Sequence, residues 1–229
     1  ARDVYRHPAE TLAFFGLTPH SKVIEIWPGG GWYADILVPY ATKHGSYTAA
    51  VNDPASIEKE SSKAYYAKAN KGLSDKFAAN PEAFSKATMV LIDPAKPVLG
   101  KPGSADLVLT FRNVHNWRMA NQQDGMFAAF FAVLKKGGTL GVVEHRANND
   151  VAADDKSGYV SEAQVIALAT KAGFKLVAKS EINANAKDTK DYADGVWTLP
   201  PSYRLGEVDK AKYTAIGESD RMTLKFVKP

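Results

Sequence analysis

The hydrophobic residues of the chain fall into short apolar runs, separated by longer stretches in which apolar residues recur at helical spacing. Such runs predict strands that are buried on both faces of a sheet, and the stretches between them predict helices that cover it. Strands that alternate with helices indicate a doubly wound, Rossmann-like α/β fold. The predicted strands are residues 23–26, 46–52, 87–92, 105–111, 139–143, 174–180 and 222–227.

The helical segments are bounded by proline, glycine and capping residues. A leading helix within residues 1–20 is expected to have Pro8 near its start. The helix after the first strand is expected to run to about Lys43, with Pro39 perturbing it. Further helices are predicted within residues 55–84, at 119–134 and from 161 to 172.

The chain shows no repeat, no low-complexity tract and no composition shift that would mark a domain boundary. We therefore expect one domain over residues 1–229. Residues 181–220 are long for a connection and include Trp197 and Tyr203, so this insertion is expected to fold over a sheet edge or over the mouth of a site.

Residues 22–37 contain the first candidate site. Glu25 lies near the end of the first strand, and three glycines follow at residues 29–31, before a helix. This layout points backbone N–H groups toward a ligand. A phosphate-binding loop would need Gly-Lys-Ser/Thr, which is absent, and the third glycine of the strict G-x-G-x-x-G pattern falls on Ala34. An acid at Glu25 favours a ligand with a cationic or hydroxyl-bearing group over a pyrophosphate.

Polar residues also follow the other predicted strands at their carboxyl ends, where open α/β sheets bind ligands. Asp53 follows the second strand and is placed to accept hydrogen bonds from ribose hydroxyls, a need that all nucleotide cofactors share. Asp93 follows the third strand, where turn chemistry alone would also explain an acid. Residues 112–117 form a dense polar and aromatic loop after the fourth strand, and residues 144–146 follow the fifth.

The amino-acid composition excludes several kinds of site and partner. Of the 229 residues, 45% are hydrophobic and 24% charged, as in ordinary globular proteins. Cys is absent, which excludes disulfides, Cys-ligated zinc and thiol catalysis. The net charge of +4 comes from lysines interleaved with acids, which favours a solvated face over a nucleic-acid groove. No apolar run approaches the length of a membrane span, so we expect a small-molecule partner and no membrane insertion.

The glycine stretch resembles motif I of the class I S-adenosylmethionine-dependent methyltransferases, E/D-x-G-x-G-x-G. The match runs through Glu25, Gly29 and Gly31, with Trp27 where the first glycine is usual. The run Leu-Lys-Lys-Gly-Gly-Thr-Leu at residues 134–140 is similar to the family's helix-to-strand turn. The resemblance implies a seven-stranded, mostly parallel sheet whose last strand lies antiparallel between the fifth and sixth. It also implies S-adenosylmethionine as cofactor and methyl transfer to an acceptor that the sequence does not identify.

The same resemblance implies roles for the residues at the strand ends. The fourth and fifth strands are neighbours in the family, so the side chains at their ends are expected to converge beside the sulfonium. His115 and His145 would be candidate bases there, Glu144 would orient one of them, and Arg112 would hold a substrate carboxylate. Because strand residues alternate, only one of Glu144 and His145 is expected to point into the site. The expected cofactor-binding residues are Glu25, Trp27, Pro28, Gly29, Gly31, Asp53, Asp93 (near the adenine amine), Arg112 and Asn113.

Other interpretations stay open. An oxidoreductase could bind NAD on the same glycine loop, and a non-catalytic module could have kept the S-adenosylmethionine pocket. A metal-dependent enzyme could use His115, Glu144 and His145 as ligands, but the sequence lacks a clear acidic cluster, so we expect no metal.

The start of the sequence and a further resemblance both raise the question of where the protein is located. The chain begins at Ala1 without Met, so we expect that a signal peptide, a tag or disordered residues have been removed. The sequence is also similar to a bacterial branch of methyltransferases that often carry export signals. A periplasmic location is therefore expected, with the cytoplasm as the alternative.

Overall fold

A computed structural model describes residues 2–41 and 44–229. The predicted helix end at Lys43 lies outside these residues. The strands are β1 (Lys22–Ile26), β2 (Ser46–Asn52), β3 (Ala87–Ile92), β4 (Ala105–Phe111), β5 (Leu134–His145), β6 (Lys175–Ser180) and β7 (Arg221–Val227). The helices are α1 (Asp3–Arg6), α2 (Pro8–Phe15), α3 (Ala34–Ala41), α4 (Glu60–Ala79), α5 (Pro81–Phe84), α6 (Val114–Met119), α7 (Gln123–Val133), α8 (Glu162–Lys171) and α9 (Lys210–Ile216).

The strands form a seven-stranded sheet in the order β3-β2-β1-β4-β5-β7-β6. The pairs among β1 to β5 are parallel, whereas β7 runs antiparallel to both β5 and β6. This confirms the predicted fold class, including the antiparallel last strand between the fifth and sixth. Strand order reverses between β1 and β4, and a crevice for ligands opens at such a point.

Hydrophobic side chains cover both faces of the sheet, as the apolar runs predict. Along β1, Ile24 and Ile26 pack with α7 and α8, while Val23 packs on the other face with α2 and α3. Glu25 lies between the two isoleucines and therefore faces the same side as Val23. One strand thus places an acid inside the core next to the glycine turn.

The structure corrects three predicted element boundaries. β5 begins at Leu134, five residues before the prediction, so the Lys-Lys-Gly-Gly run belongs to the strand and not to a helix end. The cause is long-range pairing, because Gly137 N–H donates to Lys228 O and Lys228 N–H donates to Gly138 O. The predicted loop at 112–117 becomes helical from Val114, and the predicted helix 119–134 begins only at Gln123, as α7, because Met119 is the last residue of α6.

The leading segment and the insertion follow the predictions more closely. The leading segment folds into α1 and α2, and Pro8 is the first residue of α2. The insertion contains a short 3₁₀ turn at Gly195–Thr198 and the helix α9. In the described part of the chain, no helix combines the length and the apolar content that crossing a bilayer requires.

Candidate functional site

The main cavity, of about 600 Å³, opens at the carboxyl ends of β1, β4 and β5. The first helix and the start of β7 form one wall, and residues 196–202 of the insertion form another. The insertion therefore lies at the mouth of the site, as predicted. The residues that line the cavity and enter the argument are Arg2, Arg6, Glu25, Trp27, Pro28, Gly29, Gly30, Arg112, Asn113, His115, His145, Trp197, Ser219 and Arg221.

The glycine turn presents bare backbone to this cavity. Gly29 has φ +59°, and a Cβ added to Gly29 or Gly30 would have no atom within 4 Å. A ligand can therefore approach the backbone closely at these two residues. Gly31 has another task, because a Cβ there would lie 2.8 Å from Leu73 Cδ1, so this glycine lets α4 pack against the turn.

Trp27 occupies the position where the motif usually has glycine. Its φ of +49° is in the left-handed region, which a bulky side chain rarely adopts. Its ring packs edge-on against Trp117 at 5.6 Å between centroids, and its Nε1 is buried with no hydrogen-bond partner in the described structure. A strained residue with an unused donor at a cavity wall points to a ligand contact.

Glu25 is 2% exposed and lines the main cavity. The Tyr47 hydroxyl donates a 2.7 Å hydrogen bond to its Oε2. Burial raises the pKa of Glu25 to about 7, although the bond from Tyr47 and the charge of Arg112 act in the opposite direction. The carboxyl group is thus ready to ionise at neutral pH when a cation lies beside it.

The structure identifies a candidate ligand-binding residue at the end of β2, Asn52, which the sequence analysis missed in favour of its neighbour Asp53. The Asp53 carboxylate accepts a 2.9 Å hydrogen bond from Ala55 N–H and caps the following turn. Asn52 is 3% exposed, and its Oδ1 has no partner among the described residues. Asn52 lines two smaller cavities, of about 330 and 390 Å³, and Trp27 also lines both. The ribose role of Asp53 stays a prediction. Asn52 is a second candidate for the same role, because its side-chain oxygen is free to accept a hydrogen bond.

Asp93 and Asn113 both hold backbone in place. The Asp93 carboxylate accepts a 2.9 Å bond from Ala95 N–H and lines the 390 Å³ cavity. The Asn113 amide donates 2.9 Å to Ile26 O and 3.2 Å to Thr110 Oγ1, which ties the end of β1 to the end of β4. Each therefore shapes the cavity edge, and a direct contact of either residue with a ligand stays a prediction.

The ends of β4 and β5 meet at Glu144. This fully buried carboxylate accepts hydrogen bonds from Val114 N–H at 2.6 Å and from His115 N–H at 3.3 Å, which explains why α6 begins at Val114. Its other oxygen accepts from His145 N–H at 2.8 Å and bonds His115 Nδ1 at 3.0 Å. Because a carboxylate only accepts, His115 carries its proton on Nδ1 and keeps Nε2 as a base.

His115, His145 and Arg112 converge on the main cavity, while Glu144 lies behind the histidines and does not line it. The two imidazole centroids are 5.5 Å apart. His145 Nδ1 bonds the Ser219 hydroxyl. Burial, together with the neighbouring His115 and Arg221, holds the pKa of His145 well below its usual value. His145 is therefore neutral at physiological pH.

His115, Glu144 and His145 are also the residues that could bind a metal ion. Potential ligand atoms of His115, Glu144 and His145 all lie within 4.8 Å of one another. Four N–H groups already bond the Glu144 carboxylate, so its lone pairs are committed to the backbone and to His115. This arrangement fits an orienting carboxylate better than a metal ligand.

Four arginines line the same part of the cavity, and we call them the arginine cluster: Arg2, Arg6, Arg112 and Arg221. The sequence analysis named only Arg112 and missed the other three, of which Arg6 and Arg221 are buried. All four line the main cavity and surround the carboxylate of Glu218. Two come from the first residues of the chain and one from the last strand, so no local motif could have revealed them.

Comparison with known proteins supports the fold. No protein-family model matches the chain, and no curated sequence matches it. A SAM-dependent methyltransferase from Aquifex aeolicus is similar over 100% of this chain and 93% of its own, with 13% identity and a TM-score of 0.65. One from Methanosarcina mazei is similar over 95% and 96%, with 14% identity and a TM-score of 0.62.

The [4+2]-cyclase SpnF is similar over 98% of this chain and 81% of its own, with 13% identity and a TM-score of 0.66. A structure described as a cyclase therefore shares this architecture with structures described as methyltransferases, and function must be argued from the site. What the three likenesses establish is that this chain adopts the fold of the class I S-adenosylmethionine-dependent methyltransferases.

Proposed function

We propose that the protein is an S-adenosylmethionine-dependent methyltransferase that acts on a small molecule. The observation that carries this proposal is the main cavity, which joins the bare glycine turn of β1 to two histidines at the ends of β4 and β5. The fold supports the choice of cofactor. Two buried polar atoms without partners, Trp27 Nε1 and Asn52 Oδ1, are the unused contacts that a polar ligand would satisfy.

The residues present fit this cofactor. The open backbone at Gly29 and Gly30 would accommodate its amino-acid end, and the buried Glu25 would bind an ammonium group there. Asn52 would accept a hydrogen bond from a ribose hydroxyl, and Asp93 would border the adenine. When bound, S-adenosylmethionine supplies a methyl group activated by a sulfonium.

The chain's own contribution to the chemistry would be positioning and proton transfer. An oxygen or nitrogen acceptor loses a proton when it is methylated, and a neutral imidazole in the cavity wall can take it. His145 lines the cavity and its lowered pKa keeps it unprotonated there, but the same shift weakens it as a proton acceptor. His115, with Glu144 bonded to its Nδ1, is the second candidate base. Residues 196–202 would shield the acceptor from water, since Trp197 packs edge-on against His115 at 5.9 Å.

Calorimetry with purified protein tests the choice of cofactor. We expect saturable binding of S-adenosylmethionine and S-adenosylhomocysteine and no heat from NAD. Saturable binding of NAD, with no response to either sulfur compound, would overturn the proposal. Cofactor binding without turnover on a broad panel of acceptors would instead favour a non-catalytic module.

Two adjacent residues provide a matched pair of variants. Asn52→Ala should weaken S-adenosylhomocysteine binding by about 1–3 kcal/mol, because it removes the unpartnered acceptor. Asp53→Ala should leave the affinity near that of the wild type, because its carboxylate is engaged with Ala55. The opposite ranking would return the ribose role to Asp53.

The periplasmic location is a separate proposal and rests on the sequence resemblance alone. Fractionation of cells that produce the full natural protein would test it.

A further inference from the structure

The arginine cluster concentrates positive charge in one wall of the main cavity. Arg6 Nε lies 3.2 Å from Glu218 Oε2, and Arg221 Nη2 bonds the same oxygen. Arg2 approaches the carboxylate to 3.7 Å and Arg112 to 4.0 Å. Four guanidinium groups therefore share a single carboxylate.

The other acids of the cavity do not balance this charge. Asp35 is paired with Lys76 at 2.6 Å. Glu25 has a pKa of about 7 and carries only part of a charge at neutral pH. Among the described residues around the cavity, the positive groups thus exceed the negative ones, and the excess lies at the arginine cluster.

One buried donor of the arginine cluster, the Nε of Arg221, has no hydrogen-bond partner among the described residues. Arg221 is 2% exposed. Its Nη1 donates 3.2 Å to Tyr5 O, and Nη2 bonds Glu218. A buried guanidinium donor without an acceptor is costly, and an anion in the cavity would satisfy it.

Arg112 lies in a buried and positively charged environment. Burial, followed by the charges of Arg221 and Arg6, lowers the pKa of Arg112 to about 9. About a quarter of its side chain stays exposed to the cavity. Arg112 thus reaches the cavity and lies farthest from Glu218 of the four arginines.

We propose that the arginine cluster binds an anionic group of the methyl acceptor, a carboxylate or a phosphate, and so presents the acceptor to His145. Guanidinium groups suit both anions because their planar fork can donate two parallel hydrogen bonds. Ser219 links the two parts of the site, since it bonds His145 Nδ1 and lies in the same cavity wall as Arg221. This inference rests on the proposed function.

The carboxylate of the cofactor itself offers the same chemistry, so the experiment must separate the two sources. Inorganic phosphate is the probe. It is titrated by calorimetry at low ionic strength into the protein saturated with S-adenosylhomocysteine, and in parallel into the protein alone. We expect phosphate to bind in both cases with similar affinity.

Matched variants locate the phosphate site. Arg112→Gln should weaken phosphate binding at least tenfold. Arg204→Gln removes one exposed positive charge that stacks on Trp197, outside the cluster, and should leave the affinity unchanged. Arg2→Gln, at a residue whose side chain is 40% exposed, gives a second test if Arg112→Gln fails to fold.

Two other outcomes would overturn the inference, and a third would count against the proposed function. Phosphate that binds only without S-adenosylhomocysteine, and competes with it, would assign the cluster to the cofactor's carboxylate. Equal affinities for Arg112→Gln and Arg204→Gln would place the anion elsewhere. Failure of S-adenosylhomocysteine to bind would count against the proposed function. In that case phosphate binding to the protein alone still decides whether the cluster is an anion site.

Discussion

Burial of Glu25 makes the stability of the fold depend on pH. Its pKa rises from the usual 4.5 to about 7 because burial disfavours the carboxylate. The folded state therefore binds a proton more tightly than the unfolded state does. It follows that ionisation of Glu25 destabilises the fold progressively as the pH rises from 4.5 to about 7.

Glu25→Gln should consequently gain stability relative to the wild type across this pH range. The gain should be small below pH 4.5 and reach on the order of 3 kcal/mol above pH 7, at about 1.4 kcal/mol per pKa unit. Urea unfolding of both proteins at several pH values measures it. Glu181→Gln, at a carboxylate whose side chain is 66% exposed and pairs with Arg146, is the control for the loss of one surface charge. A constant difference between Glu25→Gln and wild type would contradict the assignment.

Single residues also show what the sequence could and could not predict. Glu25, His115 and His145 were found because each lies at or just beyond a strand end, where an α/β sheet binds ligands. Asn52 was missed because its acidic neighbour Asp53 gave the stronger chemical signal, although the pleat sends the two side chains to opposite sides. Of the arginine cluster only Arg112 was found, because the other three arginines meet it only in three dimensions.

The contact between β5 and α2 is the tightest packing that a glycine permits in this sheet. A Cβ on Gly141 would lie 2.7 Å from Phe15 Cγ and 2.8 Å from Leu109 Cδ2, and both of those side chains are fully buried. The helix can therefore lie flat on the strand only because residue 141 has no side chain.

Gly141→Ala should lower the free energy of unfolding by about 1–3 kcal/mol, because the added methyl overpacks a rigid site. Gly72→Ala is the matched control. It lies inside α4 with no atom within 4 Å of an added Cβ, so it should raise stability by about 0.5–1 kcal/mol. Chemical denaturation of the two variants beside the wild type is the measurement. Equal effects would show that the contact with Phe15 relaxes freely.

Helices and strands could be predicted from the sequence where their apolar pattern depends only on neighbouring residues. All seven strands were found, because each of them, whether parallel or antiparallel, contains a short apolar run. The start of β5 was wrong because residues 134–138 owe their strand conformation to contacts such as the pairing with Lys228, almost a hundred residues away. The start of α6 was wrong because it depends on the Glu144 carboxylate, which comes from another strand.

The cavity draws its walls from parts of the chain that are far apart in sequence. Ligand binding should therefore stabilise separate segments together. S-Adenosylhomocysteine should slow amide hydrogen exchange in residues 27–31, in α6 and in residues 196–202, because all three contribute to the main cavity. β6, at the far edge of the sheet, should exchange at an unchanged rate. Mass spectrometry of exchanged peptides measures both, and uniform protection or none would contradict this view of the site.

The ion pair between Arg6 and Glu218 spans 212 positions of the sequence. During synthesis the amino-terminal part of a chain emerges first, so Arg6 cannot form this ion pair until the 212 residues that lead to Glu218 have been added. The strand that follows, β7, then enters between β5 and β6, so the sheet itself is completed at the same late moment. A chain that stops before Arg221 lacks one arginine of the cluster and the strand that joins β5 to β6, so a nascent chain has no finished pocket in which to hold a ligand.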